Sequence, residues 1–160
     1  RLVGSEMCIR DRYGSGPVAM ALAQISRAFG FTLTICGNVE AGEVDADRHF
    51  VSPNELDKQS HTNADHYVVV ATQGTGDVAA LTSALAASRA YVAFVGSRRK
   101  FGAYAGKLRD AGINETSLAL VRSPAGIHIN AVTPEEIALS IMAEIVQTRR
   151  AARVTRPADG

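Results

Sequence analysis

Cysteine, net charge and long apolar runs are all scarce in this sequence. Its 160 residues include two cysteines, Cys8 and Cys36, and carry a formal net charge of +1. Two cysteines make neither a disulfide framework nor a metal site, and the four histidines lack the spacing of metal ligands. A charge so close to neutral argues against a general nucleic-acid binder. No run approaches the ~18 apolar residues of a membrane span, so we expect a soluble, cytoplasmic protein. From the cysteine and histidine spacing we also expect no bound metal.

The sequence also lacks the patterns that indicate a catalytic centre. No serine lies in a Gly-x-Ser-x-Gly elbow, and no pair of carboxylates stands out. Cys36 has no histidine or aspartate beside it in the sequence, so we interpret it as a small buried residue and not as a nucleophile. We therefore predict no catalytic residue and favour a protein that is not an enzyme.

The order of the apolar segments predicts one Rossmann-like α/β domain. Apolar segments at residues 31–36, 66–72 and 91–95 alternate with stretches of helical periodicity, which is typical of a parallel sheet with helices on both faces. The last helix has the clearest start: Thr133 is the cap, Pro134 takes the first helical position and Glu136 completes a capping box. We predict a three-layer domain with a mostly parallel sheet over residues 13–150.

Both ends of the chain are predicted to lie outside this domain. Residues 1–12 read neither as a strand, nor as a signal peptide, nor as a clean helix, and residues 3–12 resemble translated sequencing-adapter sequence. We interpret residues 1–12 as a non-native extension and expect the first strand of the sheet to be missing or degraded. Residues 151–160 are predicted to form a disordered tail. The arginines between Arg149 and Arg156 should then lie in solvent and contribute little to ligand binding.

A glycine-rich turn precedes the first predicted helix. The segment Gly14-Ser15-Gly16-Pro17-Val18-Ala19 fits the pattern G-x-G-x-x-G/A, in which the first glycine makes a tight turn and the second lets the backbone approach a phosphate. A dinucleotide site also requires an acidic residue at the end of the second strand. This chain has Cys36, Gly37 and Asn38 there, with Glu40 only later, and that departure weakens the case for NAD.

A second anion-binding pattern follows the strand at residues 91–95. This strand ends at Gly96-Ser97 and opens into Arg98-Arg99-Lys100, where backbone N–H groups and guanidinium groups suit a phosphate. Further loops at residues 72–76 and 124–130 follow strands or precede helices. Because parallel strands place their carboxyl ends at one edge of the sheet, these loops are expected to form one ligand-binding edge.

These segments carry a family resemblance. The glycine turn, residues 68–74, the motif Gly-Ser-Arg-Arg-Lys at 96–100 and the motif Thr-Pro-Glu-Glu-Ile-Ala at 133–138 closely resemble the xanthine dehydrogenase accessory family (XdhC/CoxI). The resemblance is to the C-terminal Rossmann-like domain of that family and runs from about residue 13 to residue 150. The N-terminal domain of the family is not in this sequence, so the chain is expected to be a fragment.

The resemblance implies a maturation factor for molybdenum hydroxylases of the xanthine dehydrogenase or carbon monoxide dehydrogenase type. Such a protein would hold the molybdenum cofactor, as molybdopterin or its nucleotide form, and help to deliver it to an apo-enzyme. The implied partners are that apo-enzyme, a cysteine desulfurase and a second copy in a homodimer, with neither nucleic acid nor membrane. Two alternatives stay open: an NAD(P)-dependent oxidoreductase, and a protein-docking module whose Rossmann site is empty.

The predicted cofactor contacts come from four loops. They are Gly14, Ser15, Gly16, Pro17, Val18, Thr72, Gln73, Gly74, Gly96, Ser97, Arg98, Arg99, Lys100 and His128. His128 marks a departure from the family, which usually reads Gly-Leu-Asp-Ile-Gly-Ala where this chain has Gly-Ile-His-Ile-Asn-Ala at 126–131. An imidazole therefore replaces a carboxylate in the loop before the last helix.

Overall fold

A single parallel sheet forms the centre of the domain. The computed structural model describes residues 5–10, 16–37, 45–50, 65–72, 76–86 and 90–155. The strands are β1 (Ser5–Arg10), β2 (Thr32–Cys36), β3 (Arg48–Phe50), β4 (Asp65–Val70), β5 (Tyr91–Phe94) and β6 (Val121–Arg122). Their order is β3-β2-β1-β4-β5-β6, and every pairing between neighbours is parallel. This is the doubly wound order of a Rossmann-like sheet, so the predicted fold class is confirmed.

The helices of the described residues cover both faces of this sheet. They are α1 (Pro17–Ala28), α2 (Asp77–Ala86), α3 (Arg98–Asp110), α4 (Glu115–Ala119) and α5 (Pro134–Thr155). Helices α1 and α5 bury their apolar sides on one face, and α2, α3 and α4 bury theirs on the other. None of the described helices is both long and apolar enough to cross a membrane.

Alternate strand residues divide the core between the two faces. On β4, Tyr67 and Val69 face the α1 and α5 layer, whereas Val68 and Val70 face the α2, α3 and α4 layer. All four side chains are almost completely buried. A central parallel strand is buried on both faces, which explains why its sequence is continuously apolar.

Strand β1 corrects the expectation of a missing or degraded first strand. Its backbone pairs with β2 on one side and β4 on the other, with Met7 opposite Leu33 and Tyr67. The ladder of a sheet is made by backbone N–H and C=O groups, which do not depend on side-chain type. The triplet Met7-Cys8-Ile9 is also apolar. The foreign origin of residues 1–12 stays a prediction, and residues 1–4 and 11–12 lie outside the described part of the chain.

The predicted capping box begins helix α5. Thr133 Oγ1 accepts a hydrogen bond from the Glu136 N–H at 3.2 Å, and Glu136 Oε2 accepts from the N–H groups of Thr133 at 2.9 Å and Val132 at 2.7 Å. These bonds satisfy donors that a helix start otherwise leaves unpaired. The prediction of this helix start is confirmed.

The end of α5 differs from the prediction of a tail. The helix continues to Thr155, so residues 151–155 are helical, while residues 156–160 lie outside the described part. Arg149 is inside the helix and only 5% exposed, whereas it was expected in solvent. It lies four residues after Ile145, which follows Ile141 at the same spacing, so it shares the buried side of the helix.

The capping box predicts a pH dependence of stability. Hydrogen bonds from Thr133 and Val132 lower the pKa of Glu136 below its ordinary value. A lowered folded-state pKa stabilises the protein above the unfolded pKa, and this contribution is lost as the pH falls through the folded pKa. We expect wild type to lose stability relative to Glu136→Gln when urea unfolding is measured from pH 7 down to pH 3. A difference that stays constant over this range would contradict the prediction.

Candidate functional site

The carboxyl edge of the sheet brings several predicted loops together. Strands β4, β5 and β6 all end at this edge, and Thr72, Gly96 and Ser123 follow them closely. Gly16, which follows β1, begins helix α1 at the same edge. Since β1, β4, β5 and β6 are neighbours in the sheet, these positions lie in one row.

No side chain caps the start of α1 in the described part of the chain. Gly16 is buried and occupies the N-cap position. Because glycine has no side chain, it cannot accept a hydrogen bond from the first N–H groups of the helix, and Pro17 follows in the first helical turn. The N–H groups of a first helical turn are unsatisfied unless a side chain or ligand accepts from them. Val18 packs against the core, so its role in the described structure is packing. Gly14 and Ser15 lie outside the described residues.

Thr72 lies at the point in the sheet where the strand order reverses. From β1 the chain crosses to β2 on one side, and from β4 it crosses to β5 on the other side, which leaves a crevice between β1 and β4. Thr72 is 5% exposed, and its Oγ1 has no hydrogen-bond partner in the described part of the chain. A buried hydroxyl without a partner is uncommon, and at this position it suits a ligand. The predicted contacts Gln73 and Gly74 lie outside the described residues.

The glycine after β5 is required by close packing. A Cβ at Gly96 would lie 2.5 Å from Cε1 of Phe94, which is too close for any side chain. Ser97 caps helix α3, since its Oγ accepts a hydrogen bond from the Lys100 N–H at 3.1 Å. The predicted phosphate loop is therefore also a helix start with a structural cap.

The three cationic side chains at the start of α3 have different surroundings. Arg98 donates from Nε to the carbonyl of Ser123 at 3.3 Å, while Arg99 is exposed and makes no ion pair within the described residues. Lys100 takes a structural role: its Nζ lies 3.1 Å from Asp77 Oδ2 and 5.5 Å from the centroid of the Phe94 ring. Its charge is thus compensated inside the protein, unlike those of the two arginines.

Asp77 explains why Lys100 turns inward. This carboxylate is 1% exposed, and its Oδ2 also accepts a hydrogen bond from the Tyr104 hydroxyl at 2.7 Å. The hydrogen bond to Asp77 raises the pKa of Tyr104. A buried carboxylate without a cation would be strongly disfavoured, so the ion pair with Lys100 is a condition of this packing.

A groove of about 1310 Å³ extends from Gly96 over β6 to the loop before α5. Its lining includes Arg98 and His128 together with apolar side chains such as Leu118 and Ile137. Two predicted contacts, Gly96 and Arg98, therefore share one groove with a third, His128, which is distant from them in sequence. His128 is exposed there.

Glu144 holds the loop that carries His128. Its Oε1 accepts hydrogen bonds from the Tyr91 hydroxyl at 2.6 Å and from the Gly126 N–H at 3.1 Å. Burial, and then the hydrogen bond to Glu144, raise the pKa of Tyr91 well above its ordinary value. The loop is held further by the N–H groups of Ala125, which donates to the Phe94 carbonyl at 3.1 Å, and of Ile127, which donates to the Ser140 carbonyl at 3.2 Å. Sequence reasoning missed Glu144, because no local pattern links it to a tyrosine 53 residues away.

The end of β2 carries no carboxylate in its described part. The strand ends at Cys36, which is 3% exposed, and Gly37 follows it. The burial predicted for Cys36 is confirmed. Asn38 and Glu40 lie outside the described residues. No acidic group of the described segment is thus placed at the strand end where a dinucleotide site would hold a ribose hydroxyl.

Comparison with known proteins identifies the family. A family model described as the XdhC Rossmann domain matches residues 13–145. The chain belongs to this family. The resemblance drawn from the four sequence segments is therefore confirmed.

Two relatives place this XdhC domain among known proteins. It is 30% identical over 144 residues to the uncharacterized protein YqeB of Escherichia coli strain K12, covering 85% of this chain and 26% of YqeB. The crystal structure of a xanthine dehydrogenase from Bacillus halodurans matches with a TM-score of 0.72 and 24% identity, covering 98% of this chain and 45% of that one. The chain thus spans about a quarter of the length of the first relative and under half of the second.

Gly126 provides a test of the loop geometry. Its φ is +97°, and a Cβ there would lie 2.2 Å from Ser140 Oγ and 3.0 Å from the Ile141 nitrogen. We expect Gly126→Ala to lower the free energy of unfolding by roughly 2–4 kcal/mol, through backbone strain and overpacking against α5. Urea denaturation measures this change.

Gly106 is the matched control for that substitution. It lies inside α3, and a Cβ there would meet nothing within 4 Å. Gly106→Ala should therefore raise the free energy of unfolding by about 0.5–1 kcal/mol, the ordinary gain from alanine in a helix. Equal effects of the two substitutions would show that the loop does not rest on α5 as described.

Proposed function

We propose that this XdhC domain is an accessory factor that binds the molybdenum cofactor and helps to deliver it to an apo molybdenum hydroxylase. Membership of the family supports the accessory role, and one observation above the others supports a binding role. This is the buried Thr72 hydroxyl, which has no partner in the described residues and lies at the crevice between β1 and β4. The xanthine dehydrogenase or carbon monoxide dehydrogenase type of the target enzyme is part of the proposal.

The residues at this edge fit the chemistry of the cofactor. A pterin that carries a phosphate needs donors for its anion and an extended surface for its ring. The free N–H groups at the start of α1 and the Thr72 hydroxyl would hold the phosphate, and Arg98 and Arg99 would supply positive charge. The groove beside Arg98 offers apolar surface together with the imidazole of His128. Lys100 is left out of this set because Asp77 compensates its charge.

The role of these residues is binding and not catalysis. When bound, the cofactor supplies the molybdenum chemistry that its target enzyme uses. The chain contributes donors, charge and a crevice, while two of its carboxylates are engaged in structure: the buried Asp77 with Lys100 and Tyr104, and the half-buried Glu144 with Tyr91. In an accessory protein the residues that contact the cofactor should be separate from those that hold the fold together, because the protein must release the cofactor and remain folded.

Titration of the purified chain separates the candidate functions. We expect molybdopterin to bind more tightly than NAD(H) or NADP(H), since the described end of β2 offers no carboxylate for a ribose hydroxyl. Tight nicotinamide binding with turnover would favour an oxidoreductase instead. Failure of all three ligands to bind would favour a docking module with an empty Rossmann site. Isothermal titration calorimetry measures each affinity.

Arg98 should contribute more to cofactor affinity than the exposed Arg153 near the end of α5. Arg98→Glu is expected to weaken molybdopterin binding by roughly 1.5–3 kcal/mol, or about 10–150-fold, as for a lost hydrogen bond to a charged group. Arg153→Glu makes the same change of charge away from the groove. Equal losses in the two variants would indicate diffuse electrostatics in place of a specific contact.

His128→Asp tests the departure from the family pattern. The imidazole lies in the groove where the family usually has a carboxylate, and a carboxylate accepts hydrogen bonds from ring N–H and amino groups. We expect His128→Asp to tighten molybdopterin binding, whereas His128→Asn, which has no charge, should do so less. Identical affinities of wild type and both variants would remove residue 128 from the site.

A further inference from the structure

A buried guanidinium lies at the amino end of the sheet, away from the carboxyl edge that carries the proposed cofactor site. Arg149 of α5 is 5% exposed, and neither its Nε nor its Nη1 has a hydrogen-bond partner in the described part of the chain. Its guanidinium carbon lies 4.9 Å from the centroid of the Phe31 ring. That ring in turn packs edge to face against Tyr67, with 5.7 Å between the ring centroids. Arg149 therefore packs against an aromatic ring, while its Nε and Nη1 donors have no acceptor in the described residues.

The position of Arg149 is distinct from the cofactor edge. Phe31 directly precedes β2, and Tyr67 pairs with Tyr91, the first residue of β5. These residues belong to the amino half of the sheet, whereas Gly16, Thr72 and Gly96 belong to the carboxyl edge. A ligand at Arg149 would therefore not be the ligand of the proposed cofactor site.

The charge on Arg149 has no counterion in the described residues. Burial lowers the pKa of Arg149; Tyr67 opposes that shift in part, and the charges of Arg150 and Arg153 add smaller lowering effects. An arginine side chain nevertheless stays protonated in proteins. A buried cation of this kind normally has an anion beside it, because removing it from water without one is unfavourable. The buried Asp77 has the charge partner Lys100, whereas Arg149 has no such partner within the described ranges of the chain.

We propose that Arg149 anchors a second, oxyanion-binding site at the amino side of the sheet. The ligand would be a carboxylate or phosphate group, because the planar guanidinium matches both in geometry and charge. Phe31 supports one face of the guanidinium. The site would be separate from cofactor binding and would serve a small anion or an acidic group of a partner protein.

Thermal unfolding in inorganic phosphate tests this proposal. The melting temperature is measured for wild type, Arg149→Met and Arg150→Met, in low millimolar phosphate and in sodium chloride of equal ionic strength and pH. Arg150 is the matched control, since it is the next residue of the helix and is exposed. Phosphate should raise the melting temperature of wild type and Arg150→Met and leave that of Arg149→Met unchanged. In chloride, Arg149→Met should melt at or above wild type, because methionine removes an uncompensated buried charge.

Four outcomes would overturn the proposal. Equal rises in all three proteins would be the general stabilisation that phosphate gives by exclusion from protein surfaces. No rise in wild type would show that no phosphate binds. If Arg149→Met is less stable than wild type in chloride, the charge of Arg149 is already compensated by a group of the protein itself. A rise that persists in Arg149→Met and vanishes in Arg98→Glu would assign the phosphate to the cofactor edge.

A second measurement does not depend on a variant that folds. The Nε–H resonance of Arg149 in wild-type protein should shift on addition of phosphate, and an unchanged resonance would contradict the proposal. Dependence of the melting temperature on protein concentration without phosphate distinguishes the sources of the anion. If the melting temperature depends on protein concentration, the anion is an acidic group of a second copy. If it does not, the anion is a free small ion or belongs to another partner.

Discussion

The backbone hydrogen bonds of β1 with β2 and β4 join the two halves of the sheet. Because all pairings are parallel, each connection between neighbouring strands must cross a face of the sheet, and the helices of these crossovers bury both faces. Because the strands are parallel, their carboxyl ends all lie at the same edge of the sheet. Gly16 at the start of α1, Thr72 after β4, the start of α3 and the loop before α5 gather at one edge for this reason, although they are distant in sequence.

The carboxyl edge combines groups that are fixed with groups that are left free. Ser97, Gly96 and Lys100 are engaged in capping, close packing and an ion pair, so part of the predicted phosphate motif maintains the fold. Within the described residues, no side chain caps the start of α1 and the buried Thr72 hydroxyl has no hydrogen-bond partner. A rigid frame of this kind presents donors to a ligand in a fixed arrangement, which lowers the entropy cost of binding.

The buried and half-buried charged side chains of the domain differ in how completely they are paired. Asp77 has a lysine and a tyrosine beside it, and Glu144 accepts two hydrogen bonds that tie α5 to β5 and to the loop before α5. Arg149 has aromatic packing and no acceptor at two of its nitrogens in the described residues. This contrast connects the stability of the domain to the anion that Arg149 is proposed to bind.

The sequence by itself determined the features that depend on near neighbours. The capping box at Thr133, the buried apolar strands and the alternation of strands with helices follow from residues a few positions apart, and they were sufficient to predict the fold class and the family. Only the tertiary structure decided which predicted cations remain free, that residues 5–10 complete the sheet, and that Arg149 is buried. Those outcomes depend on partners such as Asp77 for Lys100 and Glu144 for Tyr91, and on two neighbouring strands for β1. Such partners are brought together by the crossovers of the parallel sheet, so no local pattern in the sequence records them.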